Sequence, residues 1–370
     1  MKPSNGVFAA LFLLATCSEE AREPGSGNVE SAKLALGIVP PTEIAVWQKV
    51  GGSSTPDGRY LQAAAFDEVR KVVVMFGGTN TNPSTGMVAP NQETWIWSPV
   101  TGKWTRLTGA GSAPDARSGA SMVYDSLRGK FVMFGGRAGS GFNFEDTWEW
   151  DPTTGAWTNM SAAGAHPSAR SQHGMVYEKS TGKILLFGGG RSDSGSYDGS
   201  GVSISLGDTW EYEPVAHVWT QLAVTGAPSV RHDFGMAWDS TRNVALLFGG
   251  LQTDIASVPG VPKQDTWEWN PATSTWTERT AAGNKPSQRY AHAMAFDGSR
   301  GKAVVFGGWD IGTGGSRNDL WEWDPTTGAW TERLMGTEIG VPGPRMYASL
   351  VSDDASARLE LVAGEMTYNP

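Results

Sequence analysis

Asp146-Thr147-Trp148-Glu149-Trp150-Asp151-Pro152-Thr153-Thr154-Gly155-Ala156-Trp157-Thr158 returns with a single change as Asp319-Leu320-Trp321-Glu322-Trp323-Asp324-Pro325-Thr326-Thr327-Gly328-Ala329-Trp330-Thr331. Looser copies begin at Glu93, Asp208 and Asp265. Each copy reads as a strand, a tight turn and a second strand. In the two close copies Pro152 and Pro325 preset φ in the turn, and Gly155 and Gly328 take its left-handed position. The closing tryptophans, with Trp47, recur as Trp47, Trp104, Trp157, Trp219, Trp276 and Trp330, so the repeat is 53 to 62 residues long. A period of this length marks an array of supersecondary units, and it decides the fold.

Around that stretch the same elements recur in a fixed order. A Pro and an Arg come first, as in Pro114-Asp115-Ala116-Arg117 and Pro167-Ser168-Ala169-Arg170. A strand and a charged turn follow, then an apolar run ending in Gly-Gly: Val72 to Gly78, Phe131 to Gly136, Ile184 to Gly189, Val244 to Gly250 and Ala303 to Gly308. These runs are apolar at nearly every position, so both faces of the strand must be covered. Sheets stacked face to face around an axis supply that cover. The Gly pair marks a place where backbones crowd or φ turns positive. Fifteen of the 17 tryptophans fall at repeat positions, which predicts a packing role between sheets.

These elements resemble the Kelch repeat: Arg near the start of strand one, Gly-Gly ending strand two, an aromatic-acidic strand three, and Trp in strand four. The resemblance runs from residue 43 to 370 and implies an all-β fold, a β-propeller of four-stranded antiparallel blades. Six blades are expected. The sixth is incomplete: Pro344-Arg345 and Leu359 to Gly364 supply two strands, and Thr367 to Pro370 reads as a cut-off third. The missing strand is Ile44-Ala45-Val46-Trp47, so N-terminal pairing into the last blade is predicted to close the ring and remove free edges.

Composition agrees. The 370 residues include 48 Gly and 17 Trp with 18 % charged residues, a mixture for short strands and tight turns rather than long helices. A net charge of −9 argues against a nucleic-acid or anionic-lipid partner. The single cysteine, Cys17, excludes a disulfide framework and a Cys-based zinc site. Lys2 and the apolar run Val7 to Ala15 read as a signal peptide. Leu14-Ala15-Thr16-Cys17 resembles a bacterial lipobox, with Thr where Gly, Ala or Ser is usual. The domains are therefore a signal peptide over 1–17, a flexible acidic tether over 18–40 and one propeller over 41–370. The protein is expected to be exported and monomeric, either lipid-anchored at Cys17 in the cell envelope or secreted.

The connections between strands two and three are the longest and most variable: 78–95, 136–148, 189–210, 250–267 and 308–321. Variable loops on a repeated scaffold are where recognition sits. One Arg per repeat stands at the mouth of that face: Arg59, Arg117, Arg170, Arg231, Arg289 and Arg345. Such a ring suits bidentate capture of a carboxylate or phosphate. Alternatively, each Arg pairs with the acid of the repeat (Glu93, Asp146, Asp208, Asp265, Asp319) and ties one blade to the next. Trp309 stands off the repeat as a stacking platform or a packed side chain, and Tyr290, beside Arg289, is a similar candidate. Trp238, the other off-repeat tryptophan, fills a slot held elsewhere by Tyr124, Tyr177 and Phe296 and reads as core. His173 and His292 read as satisfied strand histidines, and Asp193 and Asp198 as part of a solvated loop; no metal or cofactor is expected.

The leading expectation is a binding or protein-interaction scaffold, with a protein or carbohydrate on the variable loop face. A sugar-active enzyme similar to sialic-acid mutarotases, themselves exported six-bladed Kelch proteins, is the alternative, and a structural spacer in the envelope a third. The galactose-oxidase type of copper chemistry needs a cysteine that the domain lacks. No catalytic constellation can be assigned from the residues.

Overall fold

The computed structural model describes residues 34–37, 46–49, 55–81, 88–108, 112–161, 164–192, 203–253, 260–334, 341–362 and 364, and its regular elements are all β-strands. Among the described residues, six sheets each contain four successive antiparallel strands. Sheet two shows the plan: Ser121–Asp125, Lys130–Phe134, Thr147–Asp151 and Ala156–Asn159 pair in chain order. Sheets one, three, four and five begin at Ala63, Gly174, Gly235 and Ala293. Sheet six begins at Ser349. The first strand of each sheet touches the first strand of the next, and that of sheet six touches that of sheet one.

The second strands hold this arrangement together. Val73 to Phe76, Phe131 to Phe134, Ile184 to Phe187, Ala245 to Phe248 and Ala303 to Phe306 have no more than 1 % of their surface exposed. Alternate residues of one strand join different apolar clusters. Val74 and Phe76 pack with Met122, Phe131 and Trp150 of sheet two, whereas Val73 and Met75 pack with Val351 and Val362 of sheet six. Such clusters lie between each pair of neighbouring sheets, so the core is a set of inter-sheet layers. Each buried Phe or Leu side chain contributes roughly 1.5–3 kcal/mol.

The tryptophans act as read from the sequence. Trp157, Trp219, Trp276 and Trp330 sit on fourth strands, and each indole N–H donates to a threonine hydroxyl of the preceding sheet: Thr94, Thr147, Thr209 and Thr266. Their rings pack on Phe76, Phe134, Phe187 and Phe248 of those sheets at centroid separations of 4.8–5.1 Å. The Gly pairs meet both conditions inferred for them. Gly135 and Gly136 have φ of +66° and +104°. A Cβ on Gly135 would stand 2.6 Å from the Arg170 carbonyl oxygen of sheet three. The N–H of Gly136 donates to that same oxygen at 2.9 Å.

The ends of the chain depart from the sequence reading. Leu34–Gly37, within the stretch read as tether, is a strand paired on one side with Arg358–Val362 and on the other with Val46–Lys49. The N-terminal region thus supplies two strands to sheet six, not one, and the first of them lies before residue 41. The physical reason is the edge: Arg358–Val362 alone would leave a row of backbone groups unpaired. Four residues carry too little pattern to be recognised as a strand. Thr367 to Pro370, read as the third strand, lies outside the described residues, and the third-strand place is held by Leu34–Gly37. Gly364 N–H donates to the Arg59 carbonyl at 3.1 Å, the same bond that joins the other sheets.

Candidate functional site

The six arginines do not open onto the mouth. Arg59, Arg117, Arg170, Arg231, Arg289 and Arg345 are all at most 1 % exposed. In sheet three the Arg170 guanidinium donates to both Asp208 carboxylate oxygens, at 2.6 and 2.8 Å, and to the Gly188 carbonyl at 3.0 Å. Trp210 Nε1 donates to the same carboxylate at 2.7 Å. Arg117–Asp146, Arg231–Asp265 and Arg289–Asp319 repeat this geometry, and Arg59 pairs with Glu93. Burial works to raise the pKa values of Asp208, Asp265 and Asp319, but hydrogen bonds and charge from the paired arginine outweigh it and hold them low. Arg345 is equally buried, with Nε donating to the Gly343 carbonyl; burial lowers its pKa to about 10.

Two sequence expectations are corrected here. The guanidinium ring is enclosed, so it does not present a set of open anion clamps. Each Arg–acid pair also lies within a single sheet, binding its first strand to the start of its third. What reaches the neighbouring sheet is the arginine's carbonyl, which accepts from the second Gly of the preceding pair.

Two residues beyond each arginine the chain does something the sequence did not announce. Leu61, Gly119, Gln172, Asp233, Ala291 and Tyr347 all have φ between +56° and +65°. Their backbones form a chain of hydrogen bonds across sheets one to six. Gly119 N–H donates to Leu61, Gln172 to Gly119, Asp233 to Gln172, Ala291 to Asp233 and Tyr347 to Ala291, at 2.7–3.1 Å. In an extended residue N–H and C=O face the same neighbour. Here they must face sheets on opposite sides, and the left-handed conformation allows that. It costs a non-glycine residue about 1–2 kcal/mol, which such a network must impose.

All six residues line a cavity of about 130 Å³ at one end of the ring axis. Asp233 is the charged member of the six. Its carboxylate accepts from Gln172 Nε2 at 3.1 Å and from His232 Nδ1 at 2.8 Å. Phe234 also lines the cavity, and the Tyr347 ring lies 6.1 Å from that of Tyr60. Burial and the Asp233 charge raise the Tyr290 pKa. Below, the axis continues through a cavity of about 190 Å³ and another of about 210 Å³, both bordered by Met122, Met175, Met236 and Met294.

Around the mouth, strand 2–strand 3 connections rise as paired hairpins: Thr79–Thr81 with Val88–Pro90, Gly189–Ser192 with Ser203–Leu206, and Leu251–Gln252 with Val261–Pro262. In sheet five Gly308–Asp310 pairs with Gly315–Arg317. Trp309 and Tyr290 stand opposite one another on this wall, both half-buried. Trp238 is half-buried at the lower cavity, its ring packed on the layer between sheets three and four rather than enclosed in it.

His173 and His292 are 5 % and 6 % exposed and pack against Phe134 and Phe248 of the preceding sheets. Burial, then the charge of Arg170 or Arg289, lowers both pKa values to about 3. His292 Nε2 accepts from Gly235 N–H, but neither nitrogen of His173 has a hydrogen-bond partner among the described residues, which corrects the expectation that both are satisfied. Asp193, Asp198 and Cys17 lie outside the described residues. Among those described, no three His, Cys, Asp or Glu side chains gather to hold a metal, and no helix is long and apolar enough to cross a membrane.

The sequence model of the KLHDC2/KLHL20/DRC7 Kelch-repeats domain matches residues 63–300 and 227–364. The chain is 28 % identical over 212 residues to the human Rab9 effector protein with kelch motifs, covering 55 % of this chain and 52 % of that protein. To Kelch domain-containing protein 2 of Bos taurus it is 25 % identical over 274 residues, 68 % of this chain and 61 % of that one. To host cell factor 1 of Rattus norvegicus it is 25 % identical over 276 residues, 71 % of this chain but 12 % of that protein. The chain thus spans less than two thirds of the length of each of these relatives.

Proposed function

Because the chain belongs to the Kelch-repeat domain family, we propose that it is a protein-interaction scaffold whose contact surface is the hairpin-walled mouth. The observation that carries this reading is the contrast between ring and wall. Gly pairs, Arg–acid pairs and tryptophans repeat from sheet to sheet, whereas the hairpins and the six mouth residues differ in each. A rigid repeated frame carrying unlike loops is the arrangement that recognition uses. Phe142, Val261 and Ile311, 67 %, 45 % and 42 % exposed, offer apolar contact points on three of the connections. The mutarotase-like reading drew on compartment, blade count and an Arg-lined mouth, and burial of the guanidinium groups removes the last of these supports.

The test is site-specific photo-crosslinking in the native host, with the crosslinker at Phe142 or Ile311 on the mouth face, or at Leu127 or Val215 on the opposite face. A single dominant adduct from the mouth-face positions alone, suppressed by excess unmodified protein, is the expected result. Equal adducts from both faces would defeat the proposal. For location, we propose export and lipid anchoring at Cys17: labelled palmitate should enter the protein and be lost in Cys17→Ser.

A further inference from the structure

Resting on the scaffold reading and going into its chemistry, we infer that the mouth recognises a cationic side chain, lysine or arginine, presented by the partner. The charge of the ring arginines is sequestered: each of the five acid-paired guanidinium groups is matched in its own sheet by a carboxylate, and all six are enclosed. What borders the mouth cavity instead is Asp233, in company with Gln172, Phe234, Tyr347, Leu61 and Ala291. Asp233 is 8 % exposed, and the left-handed backbone, φ +56°, holds it in place.

A carboxylate has about four lone-pair sites. Gln172 and His232 supply one hydrogen bond each to Asp233. Phe234 and Tyr347 also line the cavity, with Tyr60 packed on Tyr347, and the buried His173 and His292 border it alongside them. A carboxylate beside aromatic faces in a partly dehydrated pocket attracts an ammonium or guanidinium through charge and ring quadrupole together. An anion would meet the same groups with the opposite sign. Among the wall cations, Arg317 lies 3.9 Å from both Asp310 and Asp319. The chain as a whole carries −9, which steers a cationic partner inward over the longer range.

The experiment uses four peptides, acetyl-Gly-Gly-Xaa-Gly-Gly-amide with Xaa Lys, Arg, Gln or Glu, at millimolar concentration, read by saturation transfer from the protein to the Xaa side chain. Lys and Arg peptides should receive transfer at least fivefold above Gln and Glu. Asp233→Asn should remove that excess; Asn is at home in the left-handed conformation, so the backbone is retained. Gln172→Lys places a competing cation beside Asp233 and should weaken the Lys and Arg signals. Equal transfer to Glu and Lys, or Lys transfer indifferent to both variants, would overturn the inference. If mouth-face crosslinks persist in Asp233→Asn while the peptides show no cation preference, the cation reading falls and the scaffold stands. The converse, cation-selective transfer without any mouth-face adduct, sinks the scaffold and keeps the site.

Discussion

Alanine placed at Gly135 and at Gly155 separates backbone strain from crowding within one sheet. The two glycines have nearly the same φ, +66° and +70°. Strain from a left-handed alanine is therefore nearly equal at the two sites, about 1–2 kcal/mol, offset by up to about 1 kcal/mol from the lost chain entropy of glycine. Around Gly155 a Cβ would meet nothing within 4 Å. At Gly135 it would stand 2.6 Å from the Arg170 oxygen and 3.2 Å from the His173 ring. An ordinary C···O contact is about 3.3 Å, so sheets two and three must part by several tenths of an ångström. That separation falls on the hydrogen bond from Gly136 N–H to the same oxygen, the bond that joins the two sheets there. Overpacking of this kind costs about 1–3 kcal/mol and a weakened buried hydrogen bond about 1 kcal/mol. Gly135→Ala should thus lose about 2–6 kcal/mol and Gly155→Ala no more than about 2 kcal/mol, with the gap between them set by the crowding alone. Urea unfolding with unchanged m-values measures both. Equal losses would refute the claim that close approach of neighbouring sheets, and not φ alone, demands the glycine.

Acid titration should expose His173. Its folded pKa, about 3, lies below the unfolded value near 6.5, so its contribution is complete above pH 6.5 and falls away toward pH 3, at up to about 1.4 kcal/mol per pH unit. His173→Phe, which copies Phe234 in the equivalent slot of sheet four, should flatten the pH dependence of the melting temperature across that window; an unchanged slope would contradict the burial argument. For the paired carboxylates Asp208, Asp265 and Asp319, the depressed folded pKa means stability that is full above about pH 4 and lost as pH falls through the folded values. Asp208→Asn should therefore unfold earlier than the parent at pH 7 but lose less on moving to pH 2. Trp219→Phe removes the indole donor to Thr147 and part of a ring that is 4 % exposed, and should cost about 1–3 kcal/mol. The loss should shrink in a Thr147→Val background, and full additivity would argue against that contact. Removing residues 1–49 strips two strands from sheet six and should leave a protein that self-associates through the bared Arg358–Val362 edge, seen as concentration-dependent sedimentation.

Much of the architecture was legible because it repeats. Trp157, Trp219, Trp276 and Trp330 share one place in the period, and a side chain that recurs in register is a side chain of the packing. The Gly pairs were readable for the same reason as places of close approach or positive φ, and the structure shows both at once. Leu34–Gly37 was not, since a four-residue strand has no period of its own and its partner lies more than 300 positions away in the chain. The acid partners of the arginines were found, but the direction of the tie was mistaken: sequence order does not say whether a side chain turns toward its own sheet or its neighbour.

The mouth illustrates the division most sharply. Sequence alone determined the all-β repeat, the double-sided burial of the second strands, the turn chemistry and which face carries unlike loops, because those properties follow from residue type and local spacing. Leu61, Gly119, Gln172, Asp233, Ala291 and Tyr347 share a place two residues after each arginine but no residue type, so residue chemistry gave no sign of a shared conformation. Their left-handed backbones come from hydrogen bonds between sheets, and such bonds exist only once the sheets stand side by side. Burial of the arginine charge and placement of Asp233 at the cavity are likewise consequences of assembly. The sign of the charge that borders the mouth cavity was therefore set by tertiary structure, because enclosure and pairing decide which charges are left beside it.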